Sequence, residues 1–174
     1  MFSYEALVAD VRAAATRPEP IEAIRAVLHA AIADPAAIRA VYSETEDDEV
    51  CLFEDESLSI WRCRFQPTEF LPPHEHKLPV LIAAYSGAEE STMYRREANK
   101  LKKTGTLTVR AGEVTLLDED AIHSVTALDG QPSDAFHVYM GPLMSLKRDL
   151  FDWDTGRVVQ FTMENFHSMI RPKA

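Results

Sequence analysis

Apolar and polar positions divide the chain into two textures. Through residues 3–43 the apolar side chains recur at helical spacing: Leu7, Val8, Val11 and Ala14 in one stretch, then Ile21, Ile24, Leu28 and Ile32, with Val27 beside them, in a second. Pro20 stands where a helix accepts proline in its first turn. Pro35 predicts a stop, and Ala36–Tyr42 a short third helical segment. From about residue 50 the helical period gives way to short runs punctuated by turn residues, which predict strands near 50–54, 58–66, 78–86, 91–95, 106–110, 113–118, 122–128, 134–140 and 157–162. Eight or nine closely spaced strands suggest a closed barrel or a double-sheet jelly roll with the helices packed outside it. The expectation is one mainly β domain over 1–174, with a helical segment at 1–45 and the barrel at 50–165.

Composition narrows the function classes. With 174 residues and 46% hydrophobic content the chain can bury a core without staples. Its 28 acidic against 18 basic residues give a formal charge of -10, which repels phosphate backbones and anionic lipid, so neither nucleic acid nor a membrane is an expected partner. The first residues lack the basic head and apolar core of a secretory signal, and no run approaches the roughly 18 apolar residues of a membrane span. A cytoplasmic protein is expected, with monomer and homodimer both open. Cys51 and Cys63 are too few for a disulfide scaffold or a four-thiolate zinc site, and Cys63 reads as a packed small hydrophobe.

The sharpest chemical feature is Pro72-Pro73-His74-Glu75-His76. Strand alternation turns both imidazoles to one face and Glu75 to the other, so that two nitrogen ligands can converge. His123 follows after a strand and the acidic turn Asp118-Glu119-Asp120, and an antiparallel return could bring it opposite the pair. Three imidazoles suit iron, zinc, copper or nickel and leave coordination positions open. Alternation also places His137 and Tyr139 together, so a histidine that orients a phenol is one reading of the pair and a buried hydrogen-bonded pair without catalysis is the other. His29 lies in the helical region and His167 beyond the barrel, and neither is expected to be a ligand.

The stretch from about Leu58 to Leu143 resembles the cupin superfamily, on His74-Glu75-His76 followed by Gly87 and on Gly112 through His123. The usual glutamate after the His pair is absent, with Val80 and Leu81 in its place. Asp118 and Asp120 replace the proline and glycine of the second motif, and Ala127 its asparagine. Three histidines without that glutamate are similar to the thiol dioxygenases, as a remote relative of cysteine dioxygenase, and His137-Val138-Tyr139 followed by Gly141-Pro142 is similar to the family's Ser-x-His-x-Tyr segment, with Ala135 at the serine position. The resemblance implies a cupin double-stranded β-helix holding Fe(II) at His74, His76 and His123, with Ni, Zn or Mn as other divalent candidates. It implies a small thiol and O2 as substrates, a sulfinic acid as product, and a role for His137 and Tyr139 beside the bound thiol. The cysteine that crosslinks to tyrosine in animal enzymes is absent, and so is the upstream substrate-binding arginine.

Arg62 and Arg64 are the candidate replacements for that arginine. They share one face of a strand whose other face carries Trp61, Cys63 and Phe65. If the arginine face turns inward, a guanidinium could hold a substrate carboxylate; if the aromatic face does, both arginines are solvated. The same three histidines also fit another metal-dependent cupin enzyme, whether isomerase, lyase or different dioxygenase, and a non-catalytic sensor of a metal or small ligand.

Overall fold

The computed structural model describes residues 2–41, 47–98 and 100–173. Helix α1 (Tyr4–Ala15) begins at Ser3, whose hydroxyl accepts the Ala6 N–H at 3.1 Å, and buries Leu7, Val11 and Ala14 along one face. Helix α2 (Pro20–Ile32) opens on proline and buries Ile24, Leu28 and Ile32. Pro35 does more than stop it: Asp34 accepts the Ala37 N–H at 3.1 Å and Pro35 becomes the first residue of α3 (Pro35–Arg39). Tyr42, the predicted end of that segment, lies outside the described residues.

The remainder forms strands β1 (Glu49–Glu54), β2 (Ser59–Phe65), β3 (Glu69–Glu75), β4 (Val80–Ser86), β5 (Ala88–Glu97), β6 (Lys100–Arg110), β7 (Val114–Leu117), β8 (Ile122–Ala127), β9 (Ser133–Tyr139), β10 (Asp149–Phe151) and β11 (Val158–Gln160). Helix α4 (Met163–Ser168) and the short β12 (Arg171–Pro172) follow. One antiparallel sheet runs β1-β2-β9-β4-β7; the other runs β11-β10-β3-β8-β5-β6, with β12 paired to β3. The chain thus folds as a double-stranded β-helix, a jelly roll of two antiparallel sheets. The three N-terminal helices cover the outer face of the first sheet, where Ile24, Leu28 and Ile38 share a core with Ile60, Leu81, Phe136 and Val138. Gly87 joins β4 to β5 at a φ of +65°, and a Cβ there would stand 2.3 Å from the Pro132 carbonyl oxygen, so only glycine fits this corner.

Besides the short β10 and β12, which no expected run covers, three features depart from the expected strands. Strand β3 is a central strand despite Pro72 and Pro73, because its register with β8 slips between Leu71 and His74, so the prolines sit at a bulge where missing N–H groups cost no ladder bond. Strands β5 and β6 extend well beyond 91–95 and 106–110, since their outer ends (Arg95, Arg96, Lys102, Lys103) are exposed and carry no apolar alternation to reveal them. The predicted terminal strand at 157–162 shortens to β11, and α4 follows it, capped by Thr162 on the Asn165 N–H.

Candidate metal centre and its cavity

The bulge in β3 aligns His74 opposite His123 of β8, and His76 follows one residue past the strand end, just before Lys77 turns the chain at a φ of +57°. The three rings lie 4.5 to 4.9 Å apart between centroids, all of them buried, while Glu75 points away and pairs with Lys77 at 2.8 Å. His74 Nδ1 lies 2.8 Å from the Pro72 carbonyl, which can only accept, so that nitrogen carries the proton and Nε2 is bare. Nδ1 of His123 is engaged by Ser91 Oγ at 2.9 Å, which turns its Nε2 inward as well. Nε2 of His76 then lies 3.0 Å from that of His74 and 3.5 Å from that of His123.

Lone pairs this close repel unless a cation or a proton stands between them. Two imidazole nitrogens bound at about 2.1 Å to one ion at right angles would sit about 3 Å apart, so the donor set fits a divalent metal. Among the described residues this is the one group of His, Cys, Asp or Glu side chains able to hold an ion. Burial and proximity also keep the rings unprotonated. His74 is held down to about 4 by desolvation, against the partial help of the Pro72 carbonyl. His76 and His123 lie well below the ordinary imidazole range, first through burial and then through their neighbours.

The histidines form part of the wall of a cavity of about 570 Å³, a size suited to a small organic molecule. Strand β9 adds Tyr139, whose ring stands 5.0 Å from that of His76, and His137, whose Nδ1 is 3.3 Å from the Tyr139 hydroxyl. The Cys63 thiol and the Tyr139 phenol are both held protonated by burial. Burial acts against a second proton on His137, yet its pKa is raised well above the ordinary value by the acidic groups around it, Cys63, Tyr139 and Glu89, of which Glu89 is the one not held protonated by burial.

The two predicted arginines separate. The aromatic face of β2 turns inward, with Trp61, Cys63 and Phe65 on the cavity. Arg62 is not solvated but fully buried; it does not line the cavity, and its Nη2 donates to the Asp47 carbonyl at 2.7 Å. Arg64 reaches the cavity rim already engaged by Asp134, at 2.7 and 3.4 Å to the two carboxylate oxygens. The geometry therefore does not offer Arg62 to a substrate, because period-2 alternation places it with Ile60 on the helix-covered face.

A different arginine, missed from the sequence, lines the cavity. Arg148 stands between β9 and β10, its guanidinium 3.4 Å above the centre of the Phe161 ring, and among the described residues no carboxylate lies within ion-pair distance of it. Desolvation lowers its pKa, and Tyr139 and Glu49 are the groups that act on it electrostatically. Glu49, at the mouth, is itself raised by desolvation although it keeps contact with solvent. Phe161, Phe166 and the exposed His167 complete this end, so the terminal segment packs against the barrel and lines the cavity. The only sequence signal for Arg148 was a basic pair, Lys147-Arg148, next to the apolar Leu150-Phe151.

No protein-family model matches this sequence, and neither does any curated protein. Solved structures do. A RmlC-like cupin family protein with a double-stranded β-helix fold from Methanocaldococcus jannaschii aligns at 14% identity over 59% of this chain and 87% of its own, with a TM-score of 0.44. A double-stranded β-helix protein from Klebsiella pneumoniae aligns at 12% identity over 61% and 82%, TM-score 0.44. Hydroquinone 1,2-dioxygenase from Sphingomonas sp. TTNP3, with 4-hydroxybenzoate bound, aligns at 14% identity over 63% and 74%, TM-score 0.46. At this distance the likeness concerns the fold. No helix among the described residues is long and apolar enough to cross a membrane.

Proposed function

We propose that this protein is a mononuclear non-haem iron(II) enzyme that oxidises a small thiol bearing an anionic group to the sulfinic acid with O2. The observation that carries the reading is one cavity walled by three neutral, convergent imidazoles, a phenol and an uncommitted guanidinium. His74, His76 and His123 would hold the ion, which would supply the redox chemistry that joins thiol and O2. Both oxygen atoms end on sulfur, which loses four electrons as O2 gains them, so RSH + O2 gives RSO2H without an outside reductant.

The residues of the chain supply the rest. With no carboxylate among the ligands, the donor set leaves the full charge of a divalent ion uncompensated, an environment that favours an anionic partner such as a thiolate. Arg148 can hold a carboxylate at the other end of the substrate, and stacking on Phe161 fixes the plane of its guanidinium. Tyr139, whose ring stands beside that of His76, would donate a hydrogen bond to the reacting end. The half-apolar walls contributed by Trp61, Leu71, Val125 and Phe166 exclude water from the reacting groups.

The test is aerobic incubation of the iron-loaded protein with thiols that carry or lack a carboxylate, following O2 uptake and sulfinate formation together. The expected result is stoichiometric sulfinate from the carboxylate-bearing thiols. Iron-replete protein that takes up no O2 with any thiol would overturn the proposal in favour of another cupin chemistry or a sensor.

A further inference from the structure

Strand β5 turns Glu89, Ser91 and Met93 to the barrel interior, and two of the three meet an imidazole of the cavity. Ser91 engages His123. Glu89, two residues earlier, stands behind His137: Oε2 is 3.5 Å from Nε2, the residues are 1% and 3% exposed, and neither carboxylate oxygen nor that nitrogen has a hydrogen-bond partner among the described residues. An uncompensated carboxylate at this depth is costly, and the imidazole is the one basic group within ion-pair distance of it among the described residues. Ala135, two residues before His137 on the same face of β9, offers no polar atom to that ring.

We infer that Glu89 is a positioning residue: its carboxylate keeps a proton on His137 Nε2, so the ring carries both protons, Nδ1–H donates to the Tyr139 oxygen, and the phenolic O–H is left to point into the cavity. The inference rests on the reading of that cavity as the reaction site. Without Glu89 the ring would be neutral, and a bare Nδ1 would accept the phenol proton, turning it away from the substrate. The groups facing His137 are the Cys63 thiol from β2, Tyr139 from its own strand and Glu89 from β5, with Phe65 edge-on at 5.7 Å. Glu49 acts on it from β1, and His74, His76 and His123 feel its charge. Burial keeps the thiol and the phenol protonated, so Glu89 is the close anion.

The experiment is nitrogen NMR of the histidine side chains in the full, metal-free chain at neutral pH, with the His137 signals assigned by their loss in His137→Gln. In wild-type protein both ring nitrogens of His137 should be protonated, and in the isosteric Glu89→Gln one should lose its proton. A neutral His137 in wild-type protein overturns the inference without any Glu89 variant; so does a doubly protonated ring that persists in Glu89→Gln. Should Glu89→Gln not fold, the wild-type spectrum decides. In iron-loaded Glu89→Gln, metal content and KM should be retained while kcat falls roughly ten- to a hundredfold. The spectra need neither metal nor substrate, so their failure leaves the thiol proposal standing, and an inert iron protein leaves the Glu89 link standing.

Discussion

Strand β9 is buried along its whole length, yet its two faces are built to opposite ends. Phe136 and Val138 face the helices in a filled core, where Phe2 stacks on Phe136 at 5.9 Å and Tyr85 lies 4.9 Å from it. His137 and Tyr139 face a cavity that is left open, and their polar atoms run in a chain from Glu89 through the imidazole to the phenol. Equal burial therefore says nothing about role. What separates the faces is unfilled volume beside polar groups that the fold holds in line.

The largest break in that comparison should come from the metal ligands. His76→Ala and His123→Ala should each abolish metal binding, measured as ions per chain by elemental analysis, and full stoichiometry in both would remove the site. Phe136→Ala, on the opposite face, should keep its metal and instead lose about 3–5 kcal/mol of stability in denaturant unfolding. A smaller and more selective effect is expected at Tyr139. Tyr139→Phe removes one hydroxyl from the cavity face, so fold and metal content should hold while turnover drops by roughly one to three powers of ten. Wild-type turnover would return Tyr139 to a packing role. Arg148→Met should act on one class of substrate only: KM for a carboxylate-bearing thiol should rise about ten- to a hundredfold, as expected for losing one charged hydrogen-bonding partner, with thiols lacking the carboxylate unaffected. Equal effects on both would show that Arg148 does not read the carboxylate.

The same two faces explain what the sequence could reveal. His74, His76 and His123 were legible because their spacing obeys strand alternation and their residue type has few other uses at that density. The helices were legible because a single apolar stripe faces one core. Arg62 was not, because β2 is covered on both sides, so alternation separates its faces without saying which one meets the cavity. Glu89 and Arg148 were illegible for another reason: each stands against a neighbour distant in sequence, His137 or Phe161, and an isolated acid or base carries no mark of such a partner. The extent of strand β3 before His74 was masked by its prolines, since a bulge that accommodates them is set by register with β8 rather than by local preference.

The subtlest contrast between the faces is their response to acid. In the unfolded chain His74 titrates near its ordinary 6.5, whereas in the folded, metal-free barrel burial holds it down to about 4, and His76 and His123 lie well below the ordinary value for the same cause reinforced by one another. Between those values these three imidazoles bind more protons in the unfolded chain than in the folded one, while His137, raised in the fold, acts with the opposite sign. The stability that depends on neutral imidazoles is therefore present above about pH 6.5 and is lost as pH falls through that window towards about 4. Phe136 has nothing to titrate. Unfolding of metal-free protein in urea at about pH 7 and about pH 5 should then give parallel losses for wild-type and Phe136→Leu, offset by a constant amount, and a smaller loss for His74→Gln, which carries one fewer buried imidazole. If His74→Gln loses as much as wild type, the acid sensitivity lies elsewhere in the molecule and the imidazole cluster is not its source.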